Sequence, residues 1–476
     1  MSSDREDVDH RSGSVKVSRR KFLGVSTAAA VGGIVAGVVV GAVGGYLAGQ
    51  SAAPAKTVTA TETKTVTTTL APGAPTTITQ TVTQPVTTTV TVRPVPPKSE
   101  IVIGSVLGLT GSLAYFGFET KWAYERAVKA VNERGGIYLR EYGTKLPVKL
   151  IIYDDKSDPT ARVSLVEKLI TVDKVDAILG SVGTTFALAA APVIEKYKVP
   201  CVSSGVASVK LHEQGYKYAA FTNFFLSYDQ FLVFFKAWET LPEAERPKTV
   251  AIWEEATEHG KENADYMEKY SKEYGYKILL REKYPPGSDF TDLIAKTKAL
   301  NPDVVLGLPT GTDAINMIRQ AKELNFCPKM WAMSYGTTMA SFQQELKEDA
   351  EYVCGAYSYH TSLPFSVNAQ IVWEYRKETG IEPTLLGCWY ASAEILFDAI
   401  ERAGSLDKDA IREALLKTDL MTTMGRVAFE PDGRLKDSWK LTYLLQWQHG
   451  KLEVVWPPEV ATSKLWYPTP PWDRRK

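Results

Sequence analysis

From residue 100 onward, apolar runs of strand length alternate with stretches of helical periodicity. Residues 101–106 (IVIGSV) form a continuous apolar run, the pattern of a strand buried on both faces. Residues 122–131 then place Trp122, Ala123, Ala127, Val128 and Val131 on one helical face. A second strand is predicted at 148–153, ended by Asp154-Asp155, and a helix at 162–172. Strand 177–180, helix 186–197 and strand 199–203 complete the series. The pattern then restarts. Strands are predicted at 249–253, 277–281, 303–308, 329–333 and 353–357, with helices at 261–274, 290–300 and 314–324 between them. Strands alternating with helices of about ten residues predict βαβ units and parallel sheets. Two such series predict an α/β protein of two doubly wound lobes.

The first hundred residues follow other patterns. Residues 1–17 are polar and read as a cytoplasmic tail. Ser18-Arg19-Arg20-Lys21-Phe22-Leu23 then resembles a twin-arginine export signal. The apolar stretch behind it is long enough to cross a hydrocarbon core of about 30 Å. The basic residues before it predict that the N-terminus stays inside and the rest lies outside. Residues 18–50 are therefore expected to be a signal or membrane anchor. Glycines at 33, 37, 41, 45 and 49 share one face of that segment. From 51 to 99 threonine alternates with valine and proline, with 17 threonines between Thr57 and Val92. Leu70 and Ile78 are its only larger apolar residues, too few for a core, and prolines interrupt it. It is expected to be an extended stalk, reaching at most roughly 165–180 Å.

Lys+Arg and Asp+Glu each number 55, so no basic excess favours nucleic acid. No HExxH, P-loop or GxSxG pattern occurs. Cys201, Cys327, Cys354 and Cys388 form no CxxC, so no metal site and no cofactor are expected. Cys327 and Cys354 each stand beside a predicted strand start, an arrangement that would permit a disulfide in an oxidising exterior. Asp154-Asp155 lack a third acid in register and read as a turn or helix cap. The aromatics of the Pro-rich tail, Trp456, Trp466, Tyr467 and Trp472, are expected to cover lobe surface.

The loops behind the predicted strands are rich in small polar residues: LTGS at 109–112, GSVGTT at 180–185, SSG at 203–205, LPTGT at 308–312 and SYGTT at 334–338. Open α/β sheets bind ligands beyond the carboxyl ends of their strands. Free N–H groups and hydroxyls at helix starts favour an anionic group such as a carboxylate.

A family resemblance rests on a series of short motifs kept in order. GLTGSLAYFG at 108–117, AVNERGGI at 130–137 and YDDKSDP at 153–159 come first. VAIW at 250–253, GSDF at 287–290, IRQAK at 318–322, MG at 424–425 and FEPDG at 429–433 follow. Over about 100–450 the chain resembles the leucine/isoleucine/valine-binding family of solute-binding proteins. The resemblance implies a type I periplasmic-binding fold with a three-strand hinge near 222–229, 359–363 and 440. Lobe 1 would span 100–222 and 362–440; lobe 2 would span 223–361 and 441–476. It implies an extracytoplasmic receptor, not an enzyme, that closes on a small carboxylate- or amide-bearing solute and delivers it to ABC permease subunits. A sensory receptor of the same fold, or an extracytoplasmic hydrolase, is the alternative.

The resemblance also implies site residues. Thr184, with Thr185 beside it, takes the carboxylate-binding hydroxyl, and Gly205 a backbone contact. The next hydroxyl position holds Ala207, for which Ser208 compensates. Phe116 forms an aromatic wall. His259 and Thr310 stand where the family often has tyrosines, and Tyr335 where amino-acid-binding members place an acid for the ammonium. A buried ammonium without an anionic partner costs several kcal/mol. Either another acid serves (Asp229, Glu254, Glu255 or Asp313), or the ligand has no ammonium.

Overall fold

The computed structural model describes residues 60–68, 78–86, 93–180 and 182–475. The chain divides into two compact units, 1–93 and 94–476. In the first, Ala60–Thr68 pairs antiparallel with Ile78–Val86, Ala60 facing Val86 and Thr68 facing Ile78. This corrects the extended stalk: the chain doubles back. Alternating β-branched threonine and valine favour the strand conformation, and the pairing satisfies the backbone. The predicted tail and the signal or anchor at 18–50 lie outside the described residues. Among the described residues no helix is long and apolar enough to cross a membrane.

The second unit holds two main sheets, besides the two-stranded pairs Ile137–Leu139 with Thr144–Leu146 and Asp419–Thr422 with Gly425–Ala428. In the first, β1 (Ile101–Leu107), β2 (Val148–Asp154), β3 (Ala177–Leu179), β4 (Cys201–Ser203) and β5 (Phe221–Thr222) run in the order β2-β1-β3-β4-β5, all parallel. Every residue of β1 is buried, because apolar clusters cover both faces of this sheet. The second sheet contains β6 (Thr249–Glu255), β7 (Lys277–Tyr284), β8 (Val304–Gly307), β9 (Met330–Met333) and β10 (Cys354–Tyr357). To these it adds β11 (Tyr443–Gln448) and β12 (Lys451–Trp456). The order is β7-β6-β8-β9-β10-β11-β12. The first five strands are parallel; β11 and β12 are antiparallel additions at the edge, so this sheet is mixed.

The helices fill the spaces between strands. In the first lobe α1 (Ala114–Glu133), α2 (Pro159–Thr171) and α3 (Thr184–Lys196) connect the strands. In the second, α4 (Ser227–Glu239), α5 (Glu258–Glu273), α6 (Thr291–Leu300) and α7 (Gly311–Glu323) do so. The chain then returns to the first lobe through α8 (Asn368–Thr379), α9 (Leu386–Ala403) and α10 (Lys408–Leu416). Local chemistry fixes the ends. Asp158 caps α2 by accepting the Thr160 N–H at 2.8 Å, with Pro159 behind it. Gly380 and Gly404 end α8 and α9 in the left-handed conformation.

The chain passes between the sheets three times, after Thr222, after Tyr357 and before Tyr443. Buried polar contacts tie the crossings together. Asn223 donates to the Cys388 carbonyl at 2.9 Å and accepts from Ser392 at 2.9 Å. The Phe225 N–H donates to the Ser358 hydroxyl at 3.3 Å. Asp229 accepts from the Leu226 N–H and from the Ser438 hydroxyl.

Two buried acids make stability depend on pH. Glu119 on α1 accepts the Leu385 and Thr384 N–H groups at 2.5 and 2.9 Å. Burial pushes its carboxyl up to about 7, and burial does the same to Asp229. An acid raised in the fold stabilises it while protonated; that contribution is full below about pH 4 and is lost as pH rises through 7. The double variant Glu119→Gln, Asp229→Asn should therefore show a flatter fall in Tm between pH 5 and 8 than the wild type. Parallel pH profiles would contradict this assignment.

Candidate functional site

The carboxyl ends of both sheets carry the polar loops, and the sequence-predicted residues lie on them. In the first lobe, Thr184 opens α3 half-buried and Thr185 beside it is exposed. Gly183, at φ 105°, lets the chain turn into the helix, a conformation that L side chains rarely adopt. Its N–H donates to the Gly205 carbonyl at 3.1 Å, which joins the loops behind β3 and β4. Gly205 has φ 70°, and an added Cβ would lie 2.9 Å from the Trp389 ring. These loops therefore rest on the fully buried Trp389 of α9. The α3 N-terminus and the Thr184 hydroxyl together suit a carboxylate or carbonyl oxygen. Phe116, half-buried on the first turn of α1, packs edge-on against Tyr115 with ring centroids 5.5 Å apart.

Ser208 is engaged otherwise. It is buried and donates to Glu262 of α5 at 3.4 Å, while accepting the Lys210 N–H. Next to it, the Ser227 N–H donates to the Ala207 carbonyl at 2.8 Å. This segment thus fastens one lobe to the other.

In the second lobe, His259 is exposed on the first turn of α5, and burial of its surroundings lowers the imidazole pKa. Asn263 donates to the His259 carbonyl at 2.9 Å. Thr310 is exposed at the N-cap of α7, with its hydroxyl not used as a cap. Tyr335 has φ 66° and ψ −91°, a strained combination for a side chain of this size. The following Gly336 explains why the loop is so tight: its N–H donates to the Pro309 carbonyl, and a Cβ there would lie 2.6 Å from the Thr310 oxygen. Tyr335 is thereby held over the β8–α7 turn, with 36% of its surface exposed.

The four candidate acids separate clearly. Asp229 serves the crossings. Glu254 points to the opposite face of β6, against Arg281 at 2.6 Å and Lys283 at 3.2 Å. Glu255 and Asp313 instead converge behind β6 and β8. Both are buried. Asp313 accepts the Gly287 N–H at 2.9 Å. One oxygen of Glu255 accepts from Thr257 at 3.1 Å; the other, Oε2, is buried outside ordinary hydrogen-bond geometry, and the Thr310 backbone N–H acts on the carboxyl. Burial raises the Glu255 pKa, and Asp313 raises it further. The nearby Tyr284 hydroxyl is buried without a partner, its pKa raised by burial and by both carboxylates. Tyr335 feels Glu255 as well. Gly260 makes the arrangement possible, since a Cβ there would lie 2.2 Å from the Glu255 carbonyl oxygen. Two buried carboxyls within electrostatic reach of each other at this end of the second lobe suit a cation.

An aromatic floor lies where the crossings meet. Tyr357 packs against Phe225 and Phe224, with centroids 6.0 and 6.3 Å away. Burial raises its hydroxyl pKa, with further contributions from Tyr335, Glu119 and Tyr115. Elsewhere the expectations fare unequally. Asp154 and Asp155 are turn residues: Asp154 accepts the Leu109 and Lys156 N–H groups, and Asp155 accepts Ser157 and pairs with Arg162. The disulfide does not form. Cys327 and Cys354 are free, with Cys327 directed to the Pro470 carbonyl at 3.3 Å and Cys354 to Tyr352. The tail aromatics do cover surface: Trp472 donates to the Phe326 carbonyl, and Trp466 packs on Tyr352. Among the described residues no group of His, Cys, Asp or Glu is placed to hold a metal.

Residues 100–451 match the family of periplasmic binding proteins. The Leu/Ile/Val-binding protein homolog 7 of Brucella abortus (strain 2308) is 26% identical, over 78% of this chain and 95% of its own length. The branched-chain amino acid transporter substrate-binding protein of Streptococcus pneumoniae, solved with isoleucine, superposes with a TM-score of 0.62 at 23% identity. The match covers 75% of this chain and 98% of that one. A putative branched-chain amino acid ABC transporter protein from Silicibacter pomeroyi gives 0.69 at 19% identity, covering 78% and 99%. With its two α/β sheets and the loops gathered at their carboxyl ends, the chain belongs to the periplasmic binding protein family, alongside the Leu/Ile/Val-binding proteins.

Proposed function

We propose that the protein is the extracytoplasmic solute receptor of an ABC importer and that its solute carries both an ammonium and a carboxylate or amide group. The observation that carries this reading is the buried pair Glu255 and Asp313, with Glu255 Oε2 outside ordinary hydrogen-bond geometry. A ligand ammonium is the group that neutralises it. Across the cleft, Thr184, the α3 N-terminus and the Gly205 loop take the carboxylate or amide oxygen. Phe116 and Tyr335 wall the side chain, and His259, Thr310 and Thr185 line the rim.

The two lobes then close about the three crossings. The solute drives closure because it contacts the second lobe only in the closed form. That closed form docks on the permease, and the bound solute is released unchanged. The segment at 18–50 exports the chain or anchors it, and the Thr-rich hairpin follows it in the sequence, ahead of the lobes.

Small-angle scattering of the full chain should show a smaller radius of gyration with isoleucine, leucine or valine than without. The solute should be recovered unaltered. Consumption of the solute would move the protein to the hydrolase reading, and an unchanged radius across the amino acids would reject closure on them.

A further inference from the structure

A buried cation adjoins the loops behind β3 and β4. Arg162, in the first turn of α2, is only 4% exposed. It pairs through Nε with Asp155, which also accepts the Ser157 N–H at 2.8 Å. Its Nη2 is buried with no hydrogen-bond partner among the described residues. A charged donor in that position is costly unless something accepts from it. A cavity of about 20 Å³ lies against Arg162, lined also by Gly180, Phe186, Cys201 and Ser203. One water needs roughly 10–15 Å³ and two to four polar partners. The guanidinium, the Ser203 hydroxyl and the second lone pair of the Gly180 carbonyl are the polar groups at hand.

The lining ties this cavity to the carboxylate site. Gly180 follows β3 and opens the loop that leads to Thr184. Ser203 ends β4 and opens the loop that carries Gly205. The two meet, since a Cβ on Gly180 would overlap the Ser203 hydroxyl. Phe186, the third residue of α3, lays its ring over the guanidinium, with Arg162 Cζ 4.9 Å from the ring centroid. The same ring abuts Gly183, where a Cβ would lie 2.8 Å from it. The Arg162 charge also reaches the Cys201 thiol and the Tyr124 hydroxyl. That hydroxyl donates to the Gly180 carbonyl at 2.5 Å.

We infer that Arg162 is a positioning residue for the solute's carboxylate, acting through one water enclosed between its Nη2 and the ends of β3 and β4. The water joins the two loop ends from below, so that Thr184 and the Gly205 loop keep one arrangement. The guanidinium adds its positive potential to that of the α3 N-terminus, which favours a carboxylate over the neutral oxygen of an amide. Asp155 offsets part of that potential, so the expected preference is modest. The inference rests on the receptor reading above and narrows its solute to one with a free carboxylate.

Two measurements on the full chain test it. Calorimetric titration compares isoleucine with isoleucinamide, which differ only at that group. The wild type should bind isoleucine at least about tenfold more tightly, a difference of about 1.4 kcal/mol. The double variant Asp155→Asn, Arg162→Met removes the pair without stranding the carboxylate, and should cut this ratio at least threefold. Arg162→Lys should keep most of it. A fold-supporting role alone would weaken both ligands alike and leave the ratio unchanged; that result would overturn the inference with the receptor reading intact, as would equal wild-type affinity for the two. Binding of neither would overturn both. A crystal structure of the wild type should show one ordered water within hydrogen-bond distance of Arg162 Nη2 and the Ser203 hydroxyl. A dry cavity there would overturn the inference whatever the solute.

Discussion

Glu255→Gln is expected to weaken binding of an amine-bearing solute by about 2–5 kcal/mol, thirtyfold or more, without lowering Tm. The two halves of that result come from one cause. Glu255 is a buried carboxyl beside Asp313, and its Oε2 lies outside ordinary hydrogen-bond geometry in the free protein. Removing the charge relieves the free state and removes what attracts the ammonium. Asp313→Asn should behave differently. Asp313 holds the Gly287 N–H, so that variant should lose both stability and binding. Calorimetry with isoleucine, paired with a melting curve for each variant, separates them. A Glu255→Gln protein that melts lower and binds as before would show the carboxylate to be structural.

Trp389→Ala should cost about 3–5 kcal/mol of stability. Trp389 is fully buried on α9 and lies against the Gly205 loop. The cavity left behind would undercut the loops behind β3 and β4 together, because the Gly183–Gly205 hydrogen bond couples them. Solute affinity should fall with stability. Chemical denaturation gives the first quantity and titration at low temperature the second. A loss below about 1 kcal/mol would mean that the loops support themselves.

Much of the fold was legible because parallel strands carry their signature locally. The apolar run at 101–106 lies within Ile101–Leu107, and the reading at 353–357 differs from Cys354–Tyr357 by one residue. Residues 122–131 cover only the middle of Ala114–Glu133, because Gly117 interrupts the first turns of α1 and exposed Tyr115 and Phe118 break the one-sided apolar pattern there. The edge strands Tyr443–Gln448 and Lys451–Trp456 were not read as strands. They join the sheet antiparallel, a pairing set by tertiary contacts rather than by a βαβ pattern. Helix Leu386–Ala403 is buried on nearly every side, which blurs its periodicity.

The site was legible in its loops but not in its charges. Glu254 and Glu255 are adjacent in sequence, yet β6 turns one toward Arg281 and the other toward Asp313. Strand alternation separates them, and only the register with β7 says which faces the arginine. Ser208 had the right chemistry, but the lobe junction takes its hydroxyl.

Calorimetric titration of the wild type with isoleucine and with its deaminated analogue, 3-methylpentanoic acid, tests the central claim most directly. Both carry the same carboxylate and the same branched chain; they differ in the ammonium. The Glu255–Asp313 pair predicts binding of isoleucine and a loss of at least about 2 kcal/mol for the deaminated acid. Equal affinity for the two, or preference for the acid without its amine, would contradict it.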